Sequence, residues 1–387
     1  MRDNSGRTPL SYAAVGASVE IVELLLGREE VNPNSRGNSG RTPLSYAAGR
    51  GREEAVKLLL EREQVNPELR DNSHRTPLSY AAEYGSEEAV ELLLKRRQVN
   101  PESRDKSGRT PLTYAARYGR VKAAKLLLER GKVNPESQDN SGRTPLSYAG
   151  EDKISKLFLG RKEVNPESQD NGGRTPLSHA AERGSDSTVK LFLEWKGVNP
   201  ESQGNNGRTP LSYAAGAGKG PAVAKLLLDR EQVNPESRDN GGRTPLSYAA
   251  GVGEGEAVVK LLLERGEVNP ESRDCSGRTP LFYAATFGRE GAVKLLLKRE
   301  EVNPESRDCY GRTPLCQATW LKHKGTIELL RQRRRQSRII RQLRLTAALL
   351  RCVIWTEGKL LLGWEEVHRQ PGDNMAKHHS PILPQVG

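Results

Sequence analysis

Arginine, tyrosine and aspartate recur along this chain far more often than a single active site would need. Arg7, Arg41, Arg75, Arg109, Arg143, Arg174, Arg208, Arg243, Arg278 and Arg312 each open an Arg-Thr-Pro-Leu tetrapeptide. Aligned guanidinium groups raise the local positive potential and suit an acidic partner. A more local use is also open to them, because an aspartate stands four residues before most of them, as Asp71 does before Arg75. That aspartate is missing at Gly37 and Gly204. Of the two readings, local pairing is favoured. A second ladder runs through Tyr12, Tyr46, Tyr80, Tyr114, Tyr148, Tyr213, Tyr248 and Tyr283, with His179 and Gln317 replacing it once each. Tyrosine anchors interfaces, but it also packs half-buried between helices, and packing is the favoured reading.

Nucleophilic, phosphate-binding and metal chemistry lack their signatures. The chain has no GxxxxGK[ST] loop, no HExxH and no GxSxG. Its carboxylates fall on repeated surface positions, and a site copied ten times is not what catalysis needs. No enzyme activity, cofactor or metal is expected. Cys275 and Cys309 occupy equivalent positions one repeat apart. Packed helices sit roughly 8–10 Å apart, beyond the ~7 Å Cα reach of a disulfide, which argues against a bridge.

The 387 residues are 35% hydrophobic and only 5% aromatic, so the core must be aliphatic. The net charge of +12 is uneven: the segment from Thr319 onward carries +8 and everything before it +4. Four cysteines are too few for a disulfide scaffold. The chain opens without a signal-peptide pattern, and the apolar stretch Leu345 to Trp355 is broken by Arg351 and too short to span a bilayer. The expectation is an intracellular protein, cytoplasmic or nuclear, with no membrane span and a monomeric state.

The elements that must position these residues follow from the repeat. The tetrapeptide occurs ten times, with spacings of 34, 34, 34, 34, 31, 34, 35, 35 and 34 residues. In the unit Arg75 to Gly108, Thr76 is a helix N-cap and Pro77 suits the first helical position. Leu78, Ala81 and Ala82 share one helical face. Gly85 predicts a left-handed C-cap. Ser86 then caps a second helix with Glu87 and Glu88 in its first turn and an apolar stripe of Ala89, Val90 and Leu92 to Leu94. Val99-Asn100-Pro101 ends that helix, with Asn32, Asn66 and Asn100 expected to tie loop backbone groups. Asp105 to Gly108 reads as a turn. Two short helices cannot bury their apolar faces alone, so the units must stack.

Thr-Pro-Leu, Ala-Ala, Gly, Leu-Leu-Leu and Val-Asn in this order resemble the ankyrin repeat, over about 1–330, and the SYAA and VNPES variants resemble arrays of filamentous fungi. The resemblance implies an all-α ankyrin-repeat solenoid of stacked helix-turn-helix units with hairpin-like loops, acting as a protein–protein interaction scaffold. Two features depart from the pattern. Serine (Ser11, Ser45) replaces the usual His of the TPLH motif, and the Gly after the second helix is often lost, as at Glu63 and Arg97, though kept at Gly131 and Gly266.

Most positions barely change from unit to unit. The two residues between Ala-Ala and Gly vary most: Gly49-Arg50, Glu83-Tyr84, Arg117-Tyr118, Glu182-Arg183, Gly216-Ala217, Gly251-Val252 and Thr286-Phe287. The resemblance places this strip on the concave binding face, together with the hairpin tips and arginines such as Arg75 and Arg109. The alternative is drift at exposed positions.

The irregular units carry further expectations. Unit five is three residues short, with Gly150 ending its first helix early and a local bend or weak interface there. Units seven and eight each gain a residue between their helices, near Lys219–Pro221 and Glu254–Glu256. No polar capping unit precedes the first repeat, as in a fragment of a longer, receptor-type protein. Unit ten decays, with Lys322 in the glycine position. Residues 331–387 read as a basic, poorly ordered tail: a basic helix followed by disorder, or sequence from outside the original reading frame. Arg331 to Arg344 holds seven arginines and no acid, the one place where nucleic acid or another acidic surface would bind.

Overall fold

The computed structural model of the protein describes residues 2–16, 18–129, 133–219 and 221–366, without the side chains of Arg341, Arg344 and residues 348–366. Gly131 and residues 367–387 therefore lie outside the described residues, as does Gly220 in the expected insertion of unit seven. Among the described residues twenty helices alternate as ten pairs, one pair to each repeat.

The caps form as the sequence dictates. Thr42, Thr76, Thr110, Thr175, Thr209, Thr244, Thr279 and Thr313 hold extended backbone and accept from the N–H three residues on. Proline follows each at the helix start, where its missing N–H costs nothing. In unit three the first helix is Pro77–Tyr84 and the second Glu87–Leu94. Gly85 ends the first with φ 94°, and Ser86 Oγ accepts from Ala89 N at 3.1 Å to start the second. In unit ten Lys322 adopts the same left-handed backbone at φ 61° in place of glycine, a strain of about 1–2 kcal/mol.

Leu78, Ala81, Ala82, Ala89, Val90 and Leu93 are all 0% exposed, and their equivalents run through the array as one core. Alanine is the useful residue here, because its short side chain lets neighbouring first helices approach closely. First helices pack on first helices from Pro9 to Trp320, and second on second from Val19 to Leu297. The loop tips add a backbone ladder. Each tip from unit two to unit ten donates one N–H to the preceding tip, as Lys106 N does to Ser73 O at 3.0 Å and Asn140 N to Ser107 O at 2.9 Å. The Asn of each Val-Asn pair ties its own loop: Asn100 Oδ1 accepts from Glu102 N at 2.9 Å.

The irregular units differ where the spacing changes. The first helix of unit five is one turn, Pro145–Tyr148, ending just before Gly150. Four residues, Val252 to Gly255, separate the helices of unit eight, against Gly85 and Ser86 alone in unit three. The last helix, Lys324–Glu366, begins as the second helix of unit ten and runs on for 43 residues. By its internal contacts the chain divides into residues 1–330 and 331–387.

Candidate interaction surface

The arginine and tyrosine ladders are one interleaved structure. Arg41 lies 4.3 Å from the Tyr46 ring and 4.0 Å from the Tyr80 ring of the next unit. Arg75 sits in the same way between Tyr80 and Tyr114, at 3.9 and 4.1 Å, and Arg208 between Tyr213 and Tyr248, at 4.2 and 4.1 Å. These three guanidiniums each bridge two repeats through cation–π contacts that strengthen as water is excluded, whereas Arg109, Arg143, Arg243 and Arg278 lie over the tyrosine of their own unit alone.

Aspartate is the third member. Tyr114 Oη donates to Asp105 Oδ2 at 2.6 Å, and Tyr148 and Tyr283 do the same to Asp139 and Asp274 at 2.5 and 2.6 Å. Desolvation pushes the Asp105 carboxyl up, but the Tyr114 hydroxyl, the Arg109 N–H and the Arg109 charge outweigh it and leave it below its ordinary value. Burial pushes Tyr80 up to about 12, assisted by its bond to Asp71. In unit six His179 stands in, with Nε2 at 2.9 Å from Asp170 Oδ2. Burial and the nearby Arg174 lower His179 to about 4, so the contact is a hydrogen bond from a neutral ring at neutral pH.

Local pairing of arginine with the preceding aspartate holds in five units. Arg109, Arg143, Arg243, Arg278 and Arg312 all meet it, at 2.7 to 3.1 Å. The other five turn away, and their Nε atoms have no partner. Arg75 and Arg174 pair instead with Glu83 and Glu182. Arg41 and Arg208 donate to Ser45 O and Ser212 O at 2.8 and 2.9 Å. For four of the five the reason lies in the units themselves: Gly37 and Gly204 offer Arg41 and Arg208 no carboxylate, while Glu83 and Glu182 offer a second one to Arg75 and Arg174.

The variable strip therefore contains two kinds of residue. Arg75, Glu83, Glu182 and Arg109 are engaged in the ion pairs just described. Arg183 is half-buried and donates to Ser147 O and Ala149 O, both at 2.9 Å, capping the shortened helix of unit five. Burial lowers its guanidinium to about 10. Val252 and Thr286 are half-buried, and Thr286 Oγ1 donates to Phe282 O at 2.8 Å. Arg50 and Arg117 are exposed, with Arg117 6.0 Å from the Tyr148 ring. Tyr84, Tyr118 and Phe287 are large rings on the strip, at 50%, 41% and 49% exposed. Tyr84 lies over Gly51 and Phe287 against Gly251 of the preceding units, which leaves one face of each ring outward.

Two members of the strip escaped the sequence reading. Trp320 and Leu321 occupy the variable pair of unit ten, 72% and 37% exposed. Aligning that unit on Thr313 and Lys322 finds them despite its decay. A second ladder was also invisible. Glu102 accepts from Asn134 N and Ser137 Oγ of the next unit, both at 2.8 Å, and Glu68, Glu136, Glu167, Glu236 and Glu271 bridge in the same way. Burial pushes Glu68, Glu136, Glu167 and Glu201 above the ordinary carboxyl value.

Among the described residues no group of His, Cys, Asp and Glu is placed to hold a metal ion, and no helix is long and apolar enough to cross a membrane. Cys275, Cys309 and Cys316 are free thiols.

Stacked helix pairs tied by loop-tip bonds define a repeat-protein interaction module. The family described as Ankyrin repeats (3 copies) matches in overlapping windows at 10–105, 51–139, 97–170, 132–203, 150–237, 177–274, 217–307 and 252–339. The chain belongs to the ankyrin-repeat family, whose repeats serve in protein–protein interaction rather than catalysis. Among solved structures it is similar to the ankyrin repeat domain of Bcl-3, a member of the IkappaB protein family. That likeness has 26% sequence identity and a TM-score of 0.47, and covers 58% of this chain and 100% of that one. Comparison with curated proteins returns no match.

Proposed function

We propose that the array is a non-enzymatic scaffold that holds a partner protein on its concave face, along the strip at the ends of the first helices. The observation that carries this reading is the exposure of Tyr84, Tyr118, Phe287, Trp320 and Leu321, all in the variable pair. The other large apolar side chains exposed on the array are Tyr12, Ile21 and Leu24 in the first unit, Trp195 after the second helix of unit six and Tyr310 at the last loop tip. Aromatic anchors with a polar surround are what hot spots are made of, and truncating one typically costs about 2 kcal/mol or more. Tyr84 and Tyr118 belong to neighbouring units, as do Phe287 and Trp320, so the strip offers two aromatic patches. Between them lie Glu182 and Arg183, both held by the array itself. An intracellular setting, cytoplasmic or nuclear, a monomeric state and kinship with arrays of filamentous fungi belong to the same proposal.

The test is quantitative affinity capture with the intact chain against Y84A/Y118A and F287A/W320A. Far-UV circular dichroism checks that each variant is folded. Partners retained by the native chain should fall about thirtyfold or more in yield with at least one double variant. Unchanged capture by both would sink the concave-strip reading.

A further inference from the structure

Beyond Leu330, the last side chain buried in the array, the terminal helix continues with a composition unlike anything before it. Arg331 to Arg344 holds seven arginines, and no acidic residue occurs between Glu328 and Glu357. At about 100° per residue, Ile339, Ile340, Leu343 and Ala347 fall within an arc of roughly 100°. All seven arginine positions fall in the remaining circumference. The apolar members are not packed away: Ile339 is 58% exposed, Ile340 46% and Leu343 62%. Arg331, Arg335 and Arg338 are exposed outside that arc, with Arg335 at its edge, one turn before Ile339. Leu345, 60% exposed, is the one large apolar residue on the arginine side.

We infer that residues 331–347 bind an anionic phospholipid surface, with the helix lying in the plane of the membrane. A lipid surface uses both faces of this helix at once. Ile339, Ile340 and Leu343 would enter the boundary of the acyl region while the flanking arginines meet phosphate and carboxylate headgroups. A nucleic acid would use the arginines alone and leave three branched apolar side chains in water. No helix among the described residues is long and apolar enough to cross a membrane. The charge is also local: the segment from Thr319 onward carries +8 of the chain's net +12, so attraction to an anionic surface is directed at this end.

The experiment is co-sedimentation of the full chain with phosphatidylcholine vesicles, with and without phosphatidylserine. The variants are I339Q/I340Q/L343Q and R331Q/R335Q/R338Q. All six positions lie beyond the buried core, so the array stays folded, and far-UV circular dichroism verifies it. The native chain should bind the phosphatidylserine vesicles, bind phosphatidylcholine alone far less, and release as salt rises. At roughly fivefold per arginine, the arginine variant should bind about a hundredfold more weakly. The apolar variant should lose tenfold or more. The inference is overturned if the native chain binds neither kind of vesicle. It is also overturned if the apolar variant binds as well as the native chain, which would make the contact purely ionic. Binding of duplex DNA without vesicle binding, lost in the arginine variant and kept in the apolar one, would replace it with a nucleic-acid site.

Discussion

Asp105 is the most instructive side chain to remove. Its Oδ1 accepts from Ser107 N and Arg109 N at 2.8 and 2.9 Å. Its Oδ2 accepts from Tyr114 Oη at 2.6 Å and Arg109 Nε at 3.0 Å, and meets Arg109 Nη2 at 2.9 Å. The carboxylate side chain is 2% exposed. D105G would strand the Tyr114 hydroxyl, a loss of about 1.5–3 kcal/mol for a bond to a charged acceptor. The Arg109 pair adds less, because that side chain is 23% exposed and its charge is screened. Glycine adds about 0.5–1 kcal/mol through the unfolded chain. The total is about 3 kcal/mol, which corresponds to roughly hundredfold faster amide exchange in unit four. Unit seven supplies the rescue. There Gly204 replaces the aspartate, and Asn206 Oδ1 accepts from both Arg208 N and Tyr213 Oη, at 3.1 and 3.2 Å. D105G/S107N copies that tip and should recover about 1–2 kcal/mol, or roughly tenfold in exchange. Native-state hydrogen exchange read by mass spectrometry on unit-four peptides decides it. Exchange within threefold of native in D105G, or no recovery in the double variant, would refute the reasoning. The Asp105 carboxyl is depressed in the fold. Its contribution is therefore present above the ordinary carboxylate range and lost as pH falls through the folded value, and that acid-side loss should vanish in D105G.

Two further perturbations test other joints of the array. R183A leaves Ser147 O and Ala149 O without their guanidinium donor, at a cost of about 2 kcal/mol. Exchange in units five and six should rise about thirtyfold, and unchanged protection there would show that the short helix needs no outside cap. His179 titrates at about 4 in the fold, below its unfolded value of ~6.5. Its contribution is complete above the unfolded value and declines as pH falls toward the folded one. H179Y restores the tyrosine of the other units and should lessen the drop in Tm between pH ~7.5 and ~4.5 expected from that linkage. An identical drop in both proteins would count against a buried neutral histidine.

The fold was readable because its determinants are local. Thr76, Pro77 and Gly85 act on backbone groups within four residues, and the apolar stripe of Glu87–Leu94 repeats at helical spacing, so ten copies of one signal could be read from type and order. The tyrosine ladder was legible as packing for the same reason, since one ring per short first helix recurs at a fixed place in the stack, and Tyr46, Tyr80, Tyr114, Tyr213 and Tyr283 are buried there. The local pairing fails at Arg75 and Arg174, although each has an aspartate four residues before it. Asp71 stands four residues before Arg75, but Glu83, eight residues after it, takes the guanidinium, and proximity in sequence does not rank two carboxylates within reach. Arg183 was singled out as a partner contact, yet its nearest acceptors are carbonyls 34 and 36 residues back. Those carbonyls are open only because unit five lost three residues.

By itself the sequence determined the repeat, its caps, its aliphatic core and the basic end, because each depends on residues a few positions apart or on composition. Only the tertiary structure decided which side chains of the variable strip face outward. Stacking brings residues about 34 positions apart into contact, and Glu102, Arg183 and Tyr84 are each assigned by what the neighbouring unit presents. Identical units thus leave different residues free, because a solenoid's surface is set by the difference between adjacent repeats rather than by any one of them.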